Sequence, residues 1–376
     1  MSNLTEYLNL IKSGVNEFDG SKKYIATGSL ETQFIKDYEI VDYTSRPSRA
    51  NMEFEKNDII FAKMKDTEKV FLIDEDSSGN IYSTGFAGLR IKDLSKIHPK
   101  YVFYWLRSNL FQLEKNKKCT GATQKAISNS NIKKIPFPLA SLEYQKKAIT
   151  QLDEINKLID YRKKSINFCD KYIRSIFNQY FGNLEKNEKN WPIGTLNDVV
   201  SFETNSITPD KFDLDMIYVG LEHIEGGKGS FNNLETVSNH NIKSTKYMFN
   251  ENMVLYGKLR PYLNKVALPY FNGVCSTDII PLLPNSNSNK YYIKYLLSND
   301  YYVRLATEKS SGANLPRISP KNLKKFEVPI PPIELQNQFE IITKKINDIK
   351  QYQIESYDEL EKLFEIKLQK TFKGEI

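Results

Sequence analysis

Two stretches of the chain carry apolar residues at steps of three and four with no glycine or proline among them. The first, residues 141–181, reads SLEYQKKAITQLDEINKLIDYRKKSINFCDKYIRSIFNQYF. Leu152, Ile155, Ile159, Arg162, Ile166, Cys169, Ile173, Ile176 and Tyr180 fall on one seam, of which only Arg162 is polar. The second, residues 334–372, continues the pattern with Ile342, Ile346, Ile349, Tyr357, Leu360 and Phe364, interrupted around Gln353. Such spacing predicts long helices that bury a heptad seam. About 40 residues at about 1.5 Å each make a rod of about 60 Å, longer than a globule of this size can cover. The two seams are therefore expected to pack on each other. The first helix carries the chain from a first domain to a second, so a partner helix starting at the second domain must run back. The pair is expected to be antiparallel, with a globule at each end and the C-terminus near the N-terminus.

Ahead of each helix the pattern changes. DIIFAK, KVFLID, MVLYGK and KVALPY are β-branched or aromatic runs bounded by Asn, Asp, Gly or Pro, and read as short strands. YVFYWLRSNLFQLEKN and YYIKYLLSNDYYVRLATEK carry helical spacing and are each expected to form one helix. PFPLAS and VPIPPIE then lead out as extended segments, because proline disfavours helix in the residue before it. Each half is thus expected to be a mixed α/β globule with a twisted, barrel-like sheet.

The halves repeat one another. GATQKAISNSNIKKIPFPLASLEYQKKAI from Gly121 matches GANLPRISPKNLKKFEVPIPPIELQNQFEI from Gly312 at a constant offset of 191. Gly121, Ile127, Ser128, Asn131, Lys133, Lys134, Pro138, Glu143 and Gln145 recur as Gly312, Ile318, Ser319, Asn322, Lys324, Lys325, Pro329, Glu334 and Gln336. Upstream, YIATGSLE pairs with YVGLEHIE, FEKNDIIFAKM with FNENMVLYGKL, Ser83–Thr84 with Ser276–Thr277, and YVFYWLRSN with YIKYLLSND. Offsets there run from 191 to 195, so loop lengths vary inside a shared scaffold.

Composition adds limits. The 376 residues suffice for two or three domains, and the repeat argues for two. The 53 basic against 46 acidic residues give +7, a mild lean toward polyanions that a lysine-rich surface also explains. Three scattered cysteines and three histidines show neither zinc-ligand spacing nor a disulfide framework, so reduced cysteines are expected. The start MSNLTEYLNLIKSG predicts no signal peptide, and no run approaches the ~20 apolar residues of a membrane span. GGKGS at Gly226 lacks phosphate-loop spacing, the Pro-Pro pair follows Ile330 rather than Asn or Asp, and no nucleophile–base motif appears. Asp58 and Asp278 flank strands without a metal-binding cluster.

Two related heads held at a fixed separation suit duplex DNA, whose dimeric readers place equivalent elements about 34–36 Å apart. The candidate reading residues lie in the loops. YTSRPSRAN carries Arg46 and Arg49, FEKNDIIFAKM ends near Lys63, and GATQK supplies Gln124 and Lys125. The second half offers Lys258, Arg260, Tyr262, Asn264 and Lys265 in GKLRPYLNK, with Asn314 and Arg317 in GANLPR. Arg and Lys suit guanine edges and phosphates, Gln and Asn adenine edges. For any one of them a solvated surface charge is as good an account. DNA explains them better as a set in matched positions.

On GATQKAIS with IPFPLASLEYQKKAI, WPIGTLNDVV at Trp191, KLRPYL, GANLPRIS with VPIPPIELQNQ, and the terminal LQKTFKGEI, the whole chain resembles the specificity (S) subunit of type I restriction–modification systems. The resemblance implies an α+β architecture of two pseudo-two-fold-related target-recognition domains separated by two long antiparallel coiled-coil helices. The boundaries expected are 1–140 and 183–332 for the recognition domains, with spacer helices over 141–182 and 333–376. It further implies a cytoplasmic, non-catalytic subunit that reads an asymmetric bipartite site in double-stranded DNA. Two modification subunits would bring S-adenosylmethionine and methylate adenine, and restriction/translocase subunits would bring ATP and Mg; this chain would hold no cofactor and touch no membrane. Leu158 and Phe168, beside the seam, are candidate contacts for the modification subunits. The first half lacks the Trp-containing segment found at Trp191, so its domain is expected to start short and lean on the returning C-terminal helix, leaving the register of residues 1–23 open. The alternative is a coiled-coil scaffold whose two globules bind proteins.

Overall fold

The computed structural model describes residues 2–122, 124–240 and 242–374. The chain falls into two compact units, Met1–Arg162 with Glu355–Ile376, and Lys163–Ile354. The division runs inside the two long helices, Leu142–Phe181 and Ile333–Lys373, so each unit holds half of each helix.

In the first unit, Ser2–Asn3 pairs antiparallel with Pro136–Phe137, and the turn of helix Leu4–Tyr7 leads into Leu8–Leu10. That strand edges an antiparallel sheet continuing through Phe86–Ile91, Ile59–Ala62 and Val70–Leu72. A second sheet is ordered Glu39–Asp42, Ser21–Ile25, Ile81–Ser83, Ala50–Glu53, with one parallel pair between Ser21–Ile25 and Ile81–Ser83. The second unit repeats this plan. Ile193–Thr195 pairs with Glu327–Pro329, and Val200–Phe202 edges a sheet through Ile279–Pro284, Val254–Gly257 and Val266–Ala267. Its five-stranded sheet holds the matching parallel pair, Ile217–Val219 beside Gly273–Cys275. The strands of each unit thus divide between two open main sheets and do not close into one barrel.

Two further expectations are corrected. Each segment expected to be one helix is two: Pro99–Arg107 and Asn109–Lys117, then Lys290–Leu297 and Asp300–Glu308. Apolar spacing carries across the break, but Ser108 and Asn299 take extended backbone and their side chains accept from Phe111 N and Tyr301 N, capping a new helix. The first repeat also does not start short. Leu4 and Leu8 are buried where the second repeat buries Leu196 and Val200, an offset of 192. Glu6 accepts from Asn3 N at 3.2 Å as Asp198 accepts from Thr195 N at 2.7 Å. Leu4 and Leu8 share one core cluster with Phe364, Leu368 and Phe372, so the returning helix does support the start of the chain.

Within each unit the two helix halves run antiparallel. In the first, Tyr144 Oη donates to Thr371 O at 2.8 Å and Arg162 Nε to Ser356 Oγ at 3.0 Å, so the polar member of the seam is accommodated by a hydroxyl. In the second, Lys350 Nζ meets Asp170 at 2.6 Å and Phe177 packs edge-on to Phe339 at 5.4 Å. Ile349 leaves the expected seam, being 55% exposed, while Phe339 and Thr343 are buried instead.

The identical residues of the repeat hold each unit together. Gln145 and Gln336 are fully buried at the start of the long helices. Gln145 Nε2 donates to Lys96 O and Ala140 O, both at 2.9 Å, and its Oε1 accepts from His98 N. Gln336 does the same with Asn287 O, Pro331 O and Asn289 N. Tyr101 and Tyr292 donate to Pro138 O and Pro329 O, fixing the proline exits. Ser128 and Ser319 cap short helices, and Asn131 and Asn322 reach back to Lys118 O and Lys309 O. Replacing Gln336 by Leu leaves one N–H and two carbonyls without partners, at about 1–3 kcal/mol for each unsatisfied group. Gln336→Leu is expected to lose several times more stability than Tyr292→Phe, as read from urea unfolding of the full chain; equal losses would reject this ranking.

Candidate nucleic-acid interface

The predicted loops converge on one backbone lattice that occurs twice. In the first unit, Thr84 N donates to Arg49 O, Lys63 N to Gly85 O, Ile127 N to Lys63 O and Lys65 N to Lys125 O, each at 2.9 Å. In the second, Lys258 N donates to Asp278 O at 2.9 Å, Ile318 N to Lys258 O at 3.1 Å and Arg260 N to Pro316 O at 2.7 Å. By the repeat offsets the last three bonds of the first set are the three of the second. Backbone pairing therefore seats the loop after the central strand against the GA loop in both units. Gly121 and Gly312 allow this turn: their φ values are +132° and +102°, and an added Cβ would lie 2.4 Å from Gln124 O and 3.0 Å from Leu315 O.

The side chains on this lattice differ between units. In the first, Arg49, Gln124 and Lys125 are exposed and Lys63 is partly buried, its pKa lowered because burial penalises its charge. Arg46 is engaged by its own loop: Nε donates to Ala50 O at 3.1 Å, Nη1 donates to Tyr43 O, and the guanidinium lies 3.9 Å over the Tyr43 ring. In the second, Arg317 makes a two-point contact with Asp278 at 2.9 and 3.1 Å, which raises its pKa, and Lys258 Nζ lies 4.0 Å from the same carboxylate. Arg260 and Asn314 are exposed, and so is Tyr262, at 51%. Arg260 and Asn264 both take left-handed backbone, φ +50° and +49°, on either side of the turn Pro261–Leu263. Asn adopts this region readily, whereas Arg does so rarely, so Arg260 is held there by the surrounding loop. Asn264 Nδ2 donates to Ser298 O at 2.9 Å and Lys265 Nζ to Leu221 O at 2.6 Å, so these two brace the loop.

Two residues of this face were not among the candidate reading residues, Asp278 having been noted only as a strand-flanking carboxylate. Lys65 is the counterpart of Arg260 at offset 195, a pairing legible once the loops are aligned. Asp278 stands where the first repeat has Gly85, and the signal was a changed residue inside a matched segment. Asp58, the other strand-flanking carboxylate, is occupied elsewhere: Arg90 donates to both its oxygens, at 2.8 and 2.7 Å. Among the described residues no group of three or more His, Cys, Asp or Glu could share a metal ion, and no helix is long and apolar enough to cross a membrane.

A family model for the type I restriction modification DNA specificity domain matches residues 8–168 and again residues 188–362. The chain belongs to this family. The type I restriction enzyme EcoDI specificity subunit of Escherichia coli is 32% identical over 123 residues, covering 32% of this chain and 27% of that subunit's length. The MjaIX specificity subunit of Methanocaldococcus jannaschii is 22% identical over 322 residues, 78% of this chain and 72% of that one. Among solved structures, a chain from work on complex assembly and conformational transition of the type I R-M system superposes with a TM-score of 0.60 at 17% identity, over 98% of both chains. The type I restriction–modification S subunit from M. genitalium gives 0.56 at 18% identity, over 99% of this chain and 95% of that one. These likenesses show that the specificity-family fold is shared.

One support of the first lattice is not repeated in the second unit. Lys115 is fully buried where the second unit has Ala306, and its Nζ donates to Thr67 O beneath the loop that carries Lys63 and Lys65. Burial lowers its pKa to about 8. Its folded pKa lies below its unfolded one, so between them the unfolded chain binds the extra proton and stability rises with pH. Wild type is expected to gain on the order of 2 kcal/mol between about pH 8 and pH 10.5, and Lys115→Met to lack that increment. Parallel stability–pH curves for the two proteins would refute it.

Proposed function

We propose that this chain is the DNA-reading subunit of a type I restriction–modification complex, each unit reading one half of an asymmetric bipartite sequence. The observation that carries the reading is the doubled lattice in a chain that matches the DNA specificity domain twice. The scaffold of the lattice is repeated and its tips are not, as two reading heads for unlike half-sites require. Lys63 supports phosphate contact, since a partly buried ammonium gains from an anionic partner. Arg49, Lys65, Gln124 and Lys125 in one unit and Arg260, Tyr262 and Asn314 in the other are the exposed groups suited to base edges and backbone. Lys258, Arg317 and Asp278 form a preset group in the second unit only.

On this reading recognition domains occupy 1–140 and 183–332, and spacer helices 141–182 and 333–376, of which residues 375–376 lie outside the described residues. Each long helix begins in one unit and ends in the other, and on this reading the helices act as a ruler for the gap between half-sites. The chain itself performs no chemistry. Two modification subunits with S-adenosylmethionine methylate adenine, and restriction/translocase subunits with ATP and Mg move and cut the DNA. Leu158 at 46% and Phe168 at 64% exposure, the latter stacked on Tyr172 at 5.8 Å, support docking of partner subunits on the helices.

The test is a genome-wide map of methylated adenine in cells expressing the chain with its modification subunit. One motif of two unlike half-sites around a fixed gap is expected, lost when the chain is omitted. Arg260→Ala should relax or weaken only the half-site read by the second unit, by about 1–3 kcal/mol at the affected base pair. Inserting about four residues, one helical turn, after Ile159 with a matching turn after Tyr357 should lengthen the gap and spare both half-sites. An assembled complex that yields no motif, with weak salt dependence of any DNA binding, would transfer the chain to the class of protein-binding scaffolds.

A further inference from the structure

The repeat supplies an internal comparison that isolates one cavity. In the first unit Arg107 ends helix Pro99–Arg107, its guanidinium 5.0 Å from the Phe364 ring and 5.5 Å from that of Phe103. Nη1 donates to Gln33 Oε1 at 2.9 Å, and Tyr104, Glu361, Glu365 and Glu68 surround the group electrostatically. The equivalent place in the second unit is a cavity of about 110 Å³. Ser298 stands for Arg107, Lys294 for Phe103, Tyr295 for Tyr104, Arg174 for Glu365, Asp170 for Glu361 and Gly227 for Gln33, and all six line it.

The polarity inverts along with the filling. Where the first unit surrounds a cation with glutamates, the second lines open space with the cations Arg174, Lys228 and Lys294 as well as the carboxylates Asp170 and Asp300. The charges facing the cavity can be paired off. Asp170 accepts from Lys350 at 2.6 Å, and Lys228 bonds Glu225 at 2.6 Å. Arg174 donates to the neutral carbonyl of Gly227 at 2.6 Å. Lys294 lies 4.4 Å over the Tyr295 ring and, among the described residues, has no carboxylate within ion-pair distance. Burial first, then Lys350 and Arg174, lower the Lys294 pKa to about 8 against the opposing pull of Asp170, whose carboxylate is already paired with Lys350. Asp300, at the rim, is exposed. Two cations thus face the cavity without an anion of their own, beside the neutral donors Asn178 and Ser298.

We propose that this cavity binds a phosphate-like oxyanion held by Lys294 and Arg174. The site also touches the second unit's candidate interface. Asn264, from the Arg260–Lys265 loop, donates to Ser298 O and accepts from Gly227 N at 2.8 Å, so an occupied cavity braces that loop. The oxyanion comes either from the backbone of bound DNA or from a free anion.

The experiment titrates the full chain with inorganic phosphate by calorimetry, against chloride at matched ionic strength, in wild type, Lys294→Phe and Arg174→Gln. Phe is the residue that the first repeat already packs at the Lys294 position, and Arg174 is on an exposed helix face, so the two variants fail independently if folding is the problem. One phosphate per chain is expected, bound at least tenfold more weakly by each variant. A parallel titration with cognate duplex separates the sources. A DNA phosphate predicts that Lys294→Phe weakens duplex binding and lowers the slope of log K against log salt by about one, with free phosphate competing. A free anion predicts unchanged duplex binding. Phosphate that binds no better than chloride, or variants that match wild type in both titrations, overturns the assignment. Loss of half-site reading in Arg260→Ala is independent of either result, so the two proposals fail separately.

Discussion

A buried amide at the base of each long helix is the contact on which the rest of each unit rests. Gln145 and Gln336 each close three backbone groups: the amide at the cap of a domain helix, the carbonyl two residues before that cap, and the carbonyl of the proline exit. Those exits turn the chain out of the globule and leave backbone groups that no helix or sheet satisfies. A side chain with both donors and an acceptor, held in a dry site, satisfies them together and fixes where the helix starts relative to the sheets. The tyrosine hydroxyls at Pro138 and Pro329 complete the joint.

With the joint fixed, the sheets can differ in detail without moving the loops. The first unit buries Asp58 under the two-point contact of Arg90; the second has Met253 and Leu283 at those positions, both in one apolar cluster. An ion pair and an apolar pair fill equivalent space, as expected when desolvation offsets most of the Coulombic gain. The same freedom appears at Lys115 and Ala306, and at Arg107 and Ser298. In each pair the scaffold is kept while charge is rearranged. Frame and chemistry are thus separated between the two halves.

The interface follows the same division. The hydrogen bonds that seat the GA loop use only backbone, so they survive any choice of side chain at residues 124, 125, 314 and 317. Variation at those positions changes what is presented without disturbing how it is presented. The second unit adds an intramolecular restraint, Asp278 on Arg317, which holds the guanidinium in one place.

Much of this was legible in the chain itself. Constant offsets revealed the duplication, seam spacing revealed the long helices, and β-branched or aromatic runs between turn-forming residues revealed the strands, because these depend on local sequence patterns that burial imposes at short range. Arg260, Gln124 and Asn314 were found as loop residues beside matched strands, and the structure leaves them exposed. The tertiary structure decided what depends on distant partners. It broke each expected helix at Ser108 and Asn299, where a capping side chain overrides continued apolar spacing. It moved Ile349 out of the seam, since seam membership is set by the facing helix and not by spacing alone. It bound Arg46 to its own loop and Arg317 to Asp278. And it joined six residues at positions from 170 to 298 into one cavity, because charge in space, unlike hydrophobic period, leaves no signature in the order of the residues.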